Sequence, residues 1–89
     1  MNEQTLFRAL EAYGRSQQAL QTVEECAELQ TSIMHWLKNR TGAKESVIEE
    51  IADVTIMVAQ MRLAFGPAAV DAVVDAKLAR LQKRIEGMA

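Results

Sequence analysis

The sequence predicts an all-α fold, a small module of four helices. Three observations carry that prediction. Gly14, Gly42, Gly66-Pro67 and Gly87 divide the chain, and Pro67 is its only proline. Helix-favouring residues dominate the intervals between these breaks. No interval has the apolar–polar alternation, bounded by turn residues, that marks a strand.

The elements follow in order. The first helix is expected from about Glu3 to Tyr13. The second starts near Ser16, a suitable N-cap, and ends around Asn39 or Arg40, before Gly42. The third starts between Lys44 and Ser46 and ends before Gly66. The fourth opens with Pro67 in its first turn, where a missing N–H costs nothing, and ends near Gly87.

The helical faces differ in character. In the second helix Leu20, Val23, Ala27, Met34 and Leu37 share one side, with Cys26 and Ile33 at its edge. The opposite side carries Gln17, Gln21, Glu24, Glu25, Glu28, Ser32 and His35, a face that solvent would satisfy. The third helix is apolar almost all round, through Val47, Ile51, Val54, Val58, Met61 and Phe65 on one side and Ile56 and Leu63 on the other. Such a helix is expected to be buried. A narrow stripe of Glu49, Glu50, Asp53 and Gln60 nevertheless runs along it. The fourth helix carries an apolar stripe of Val70, Val73, Val74, Leu78, Leu81 and Ile85, with Lys77 inside it.

Size and charge bound the rest. The 89 residues fit one domain, 1–89, and 49% apolar with 25% charged residues suits a folded chain. A core this small is marginal alone, so oligomerisation is the expected supplement. Cys26 is the single cysteine, which precludes an intramolecular disulfide and suits a reducing, cytoplasmic setting. Ten basic against 12 acidic residues give a net charge of −2, so direct nucleic-acid binding is not expected. The opening Met1-Asn2-Glu3-Gln4 has no basic region followed by an apolar run, and no signal peptide is expected. The mainly apolar stretch Val54 to Val74 is interrupted by Gln60, Arg62, Gly66, Pro67 and Asp71, so no membrane span is expected either.

Two spacings carry the chemistry. Glu25 and Glu28 are three residues apart, and so are Glu50 and Asp53. Residues so spaced on a helix face the same way, so each pair can aim two carboxylates at one point. If the second and third helices pack antiparallel across the short Thr41–Glu45 connection, the pairs lie at similar heights. Converging carboxylates repel unless a cation lies between them, and hard oxygen ligands select Mg²⁺, with Mn²⁺ as a substitute. Zinc would call for Cys and His ligands, and Cys26 points away from the glutamate face. The plainer alternative is that acidic pairs on helices are usually solvated. It is weakest for Glu50 and Asp53, on the helix expected to be buried, and strongest for Glu24 and Glu49.

The same residues carry a resemblance. Thr22-Val-Glu-Glu-Cys-Ala-Glu-Leu-Gln30, followed by Ile48-Glu-Glu-Ile-Ala-Asp-Val54, resembles the two motifs of the MazG-like all-α nucleotide pyrophosphohydrolases. The resemblance extends from about Gln17 to Leu81 and implies dimers or tetramers built around helix bundles. It also implies hydrolysis of nucleoside triphosphates, NTP or dNTP, to the monophosphate and pyrophosphate with Mg²⁺. By the same resemblance Glu25, Glu28, Glu50 and Asp53 are metal ligands, and one of them, Glu25 or Glu28 first, activates water. Ile56 and Met57 depart from the polar or aromatic groups that relatives often carry there.

Further candidates stand beside these. Lys77 is a candidate phosphate partner, against the alternative of an edge lysine with a snorkelling stem. Gln60 and Gln21 could contact the sugar, the base or a bound water. Trp36 could stack on a base, although packing at a helix interface is the commoner fate of such a residue. Arg80, Lys83 and Arg84 need no role beyond offsetting the helix dipole. A different class of function is a non-catalytic helical interaction module. There the acidic groove would hold a structural ion or a partner, and Met34, Met57 and Met61 would line an adaptable interface.

Overall fold

The computed structural model describes residues 1–88 and contains four α-helices and no strand among them. They are α1 (Glu3–Tyr13), α2 (Arg15–Leu37), α3 (Ala43–Phe65) and α4 (Pro67–Gly87). Asn2 caps α1, its side chain accepting from the Thr5 N–H at 3.3 Å.

The boundaries refine the sequence reading. Ser16 is not the N-cap of α2. Gly14 ends α1 and starts α2 at once, its N–H donating to Leu10 O at 2.9 Å and its carbonyl accepting from the Gln18 N–H at 3.1 Å. No residues are left for a loop. At the other end α2 stops at Leu37, short of Asn39, because Asn39 adopts φ +57°, outside the helical region. Gly42 in turn has the left-handed φ of +76° and delivers the chain into α3 at Ala43.

The α2–α3 antiparallel pair is the body of the molecule. α1 packs on both of these helices, while α4 touches only α3. Gly66 makes the bend between α3 and α4, which is 116°. Its φ of +113° is a conformation that side chains with a Cβ rarely adopt. Arg62 braces the bend with two bonds to Asp71, at 2.7 and 2.6 Å, and reaches Glu3 of α1 at 3.5 Å. Asp71 is held below its usual carboxylate range, chiefly by these hydrogen bonds.

Which faces turn inward differs from the expectation. α3 is not buried all round: Ile48, Ile51, Ile56, Val58 and Phe65 remain exposed. On α2 the apolar side is the exposed one, with Leu20 53%, Val23 65% and Leu37 59% accessible. The side of α2 turned inward is the line Gln18, Thr22, Glu25, Leu29 and Ser32, all buried or half-buried, of which Gln18, Glu25 and Ser32 meet side chains of α3. Spacing along this line alternates four and three, the narrow seam by which two helices run alongside one another. Among the described residues only Leu6, Ala43 and Met57 are buried apolar residues, against the buried polar Gln18, Ser32 and Gln60, so the covered interior is small and half polar. No single helix among the described residues is long and apolar enough to cross a membrane.

Candidate metal centre

Two hydrogen bonds set the register between α2 and α3. At one end the buried Gln18 donates from Nε2 to Gln60 Oε1 at 2.7 Å. At the other, the hydroxyls of Ser32 and Ser46 lie 2.8 Å apart. Both contacts obey one antiparallel register, each step forward along α2 matched by a step back along α3. Continued between them, it sets Glu28 level with Glu50 and Glu25 level with Asp53.

The carboxylates meet as this register requires. Glu25, Glu28 and Glu50 each bring one oxygen within 4.8 Å of the others. Asp53 lies outside this close group and is exposed, yet its charge is near enough to act on both Glu28 and Glu50. Gln21 steadies the cluster by donating to Glu25 Oε1 at 3.0 Å, one turn away along α2.

The electrostatics are those of uncompensated charge. The negative charge of Glu25 is the main cause that raises the Glu28 carboxyl above its ordinary value, followed by hydrogen bonding to Glu25 and by desolvation. Glu50 is also raised, first by burial and then by the charges of Glu28, Glu25 and Asp53. Glu25 Oε2 and Glu50 Oε2 are buried with no hydrogen-bond partner. Two ionised carboxylates cannot satisfy each other, because neither has a proton to donate. A shared proton or a cation can. Three hard oxygen donors at this spacing, two of them with orphaned atoms, fit a divalent cation of the Mg²⁺ or Mn²⁺ type.

Beside the cluster lies an open cavity of about 350 Å³ lined by Ala27, Glu28, Thr31, Ser32, His35, Ser46 and Glu50. His35 and Ser32 lie on the polar face read from the sequence; Ser32 is buried there and Gln21, Glu25 and His35 are half-buried, while Gln17, Glu24 and Glu28 stay exposed. Sequence spacing carries no signal for Ser46 or Gln18, because the part each plays depends on a partner across the helix pair.

The other candidates lie apart from the cluster, Gln21 excepted. Gln60 is 3% exposed and is committed to Gln18, with Met57 Sδ 3.7 Å from its Nε2. Trp36 is half exposed and lines a different, apolar hollow with Ile33, Lys44, Val47 and Ile48. Lys77 is exposed on α4, a helix that makes no contact with α2. No protein-family model, no curated protein and no solved structure matches the chain.

Proposed function

We propose that the protein is a Mg²⁺-dependent nucleotide pyrophosphohydrolase, splitting a nucleoside triphosphate into monophosphate and pyrophosphate. The observation that carries this reading is the convergence of Glu25, Glu28 and Glu50 within 4.8 Å, with oxygens of Glu25 and Glu50 buried and unpartnered. The resemblance of the two motifs to the MazG-like pyrophosphohydrolases supplies the reaction.

In this reading Glu25, Glu28 and Glu50 hold the cation, with Asp53 beside them. Bound there, the cation would polarise phosphate oxygens and offset the negative charge that gathers on the leaving pyrophosphate. The protein's own residues do the rest. Water adds to the α-phosphorus, the bond to the bridging oxygen breaks, and pyrophosphate leaves. The proton of that water passes to a carboxylate. Glu28 suits this role, being exposed to solvent and lining the adjoining cavity. Thr31, Ser32, His35 and Ser46 offer hydrogen bonds to the part of the nucleotide lying in the adjoining cavity. Gln21 acts through Glu25 as a positioning residue. A phosphate contact from Lys77 would require a second copy, since α4 does not reach α2 within one chain.

The test is a panel of canonical, deoxy and modified triphosphates with Mg²⁺, read as monophosphate and pyrophosphate released. At least one member is expected to turn over, chelator to abolish it, and Glu50→Gln to lower kcat/KM by about 100-fold or more. No product from any member would sink the proposal.

A further inference from the structure

On the nucleotide reading of this site, we infer that the cavity beside the carboxylates holds the nucleoside, and that the Ser32–Ser46 hydroxyl pair selects ribose over deoxyribose.

The first ground is direction. The cavity runs from Glu28 and Glu50 at one end to His35 at the other. Ser32 lies four residues beyond Glu28 on α2, and Ser46 four residues before Glu50 on α3, each about 6 Å from the carboxylate end. His35 lies two turns beyond Glu28, about 10.5 Å along the helix. With the α-phosphate at the carboxylates, the sugar follows through one ester oxygen and one methylene. It comes level with the two serines, and the base extends toward His35.

The second ground is charge. Among the described residues that line the cavity, Glu28 and Glu50 are acidic and none is lysine or arginine. Pyrophosphate lying there would set anionic oxygens beside acidic side chains with no fixed cation to offset them. The nucleoside is uncharged and meets no such repulsion. The cavity therefore takes the nucleoside end of the substrate, and pyrophosphate departs away from it.

The third ground is the hydroxyl pair. Ser32 and Ser46 Oγ are 2.8 Å apart, with Ser32 buried and Ser46 half-buried, so bulk water competes little for them. Whichever donates to the other, the pair keeps one outward hydrogen and unused lone pairs on both oxygens. The neighbouring 2′- and 3′-hydroxyls of ribose present the complementary set, and deoxyribose presents half of it. The His35 imidazole is the sole aromatic ring among the described lining residues. Stacking therefore gives the base little hold, and the sugar is where substrates are told apart.

Two measurements on the full chain test this. In NMR titrations with Mg²⁺ present, a ribonucleoside monophosphate should shift the amides of Ser46 and His35. Pyrophosphate should shift amides around Glu25, Glu28 and Glu50 and leave His35 in place. This readout uses the unaltered chain and does not depend on a variant folding. In turnover, kcat/KM for a ribonucleoside triphosphate should exceed that of its 2′-deoxy and 3′-deoxy counterparts by about 10-fold or more. Ser46→Ala should bring these ratios close to one, and Ser46→Thr, which keeps the hydroxyl, should preserve them. Equal turnover of the three sugars would overturn the inference and leave the nucleotide reading standing. So would ratios unmoved by Ser46→Ala, or pyrophosphate shifting His35 while the monophosphate does not. Failure of every triphosphate to turn over would overturn both together.

Discussion

The residues that fix the α2–α3 pair are polar, and each is satisfied by one partner. Gln18 and Gln60 are both at least nine-tenths buried and joined at 2.7 Å. Removing one side chain strands the other, and a stranded buried amide costs about 1–3 kcal/mol. Gln18→Leu and Gln60→Leu should each lower stability by that amount in urea denaturation. The double variant should lose less than the two single losses combined, because neither amide is then left alone. Additive losses would show that the bond does not hold the pair together. Glu25 and Glu50 are the opposite case, each with one oxygen buried and unpartnered, and that contrast within one interface is what singles them out. The spacing of Glu25 with Glu28, and of Glu50 with Asp53, made the acidic groups legible in the sequence. Which three of the four would approach most closely was not legible, because it depends on the rotation of α3 about its own axis.

At the scale of the helices, four glycine-marked breaks were enough to read four elements. The ends moved by one to three residues where local backbone decided them, at Gly14 and at Asn39. The choice of inward face could not be read. Amphipathicity says which face of α2 is apolar, not which face α3 will cover, and here the polar seam is covered. A seam of Gln, Thr, Glu, Leu and Ser at alternating four and three spacing is a weak signal beside Leu20, Val23, Met34 and Leu37. The bend between α3 and α4 is a stronger commitment. Gly66 at φ +113° admits alanine in space, with Ala69 Cβ at 3.9 Å, but not in backbone conformation. Gly66→Ala should therefore cost about 1–3 kcal/mol in chemical denaturation. Gly87→Ala, at a helical residue with open space around it, should be neutral or stabilising by no more than about 1 kcal/mol. Equal effects at both positions would remove the backbone argument for the bend.

For the molecule as a whole, the carboxylate cluster and the Arg62–Asp71 pair pull stability in opposite directions with pH. Glu28 and Glu50 are raised in the folded state. The stability they contribute is complete below the unfolded glutamate value, about 4.3, and is lost as pH rises through their folded values. Asp71 is lowered, so its contribution is present above the unfolded aspartate value, about 3.9, and is lost as pH falls through its folded value. Without divalent cations, the Tm should rise as the buffer is taken from neutral toward pH 5, then fall in stronger acid. Mg²⁺ at about 100 times its Kd should add about 2.7 kcal/mol at neutral pH and flatten the first part of that profile. Differential scanning calorimetry decides it. A metal-free Tm that falls steadily from pH 7 to pH 5 would mean the carboxylates do not repel in the folded chain.

The short stretch from Lys38 to Gly42 that joins α2 to α3 has a consequence in time. Closing a connection this short costs little chain entropy, and contacts between neighbouring segments tend to form early. Glu25, Glu28 and Glu50 all belong to that one hairpin. Their mutual repulsion is therefore met on the way up the folding barrier, not after it. A proton or a cation that relieves it should act as a nucleating agent, shortening the refolding time of the chain more than it lengthens the life of the finished fold. Stopped-flow refolding across the same pH series would expose this directly.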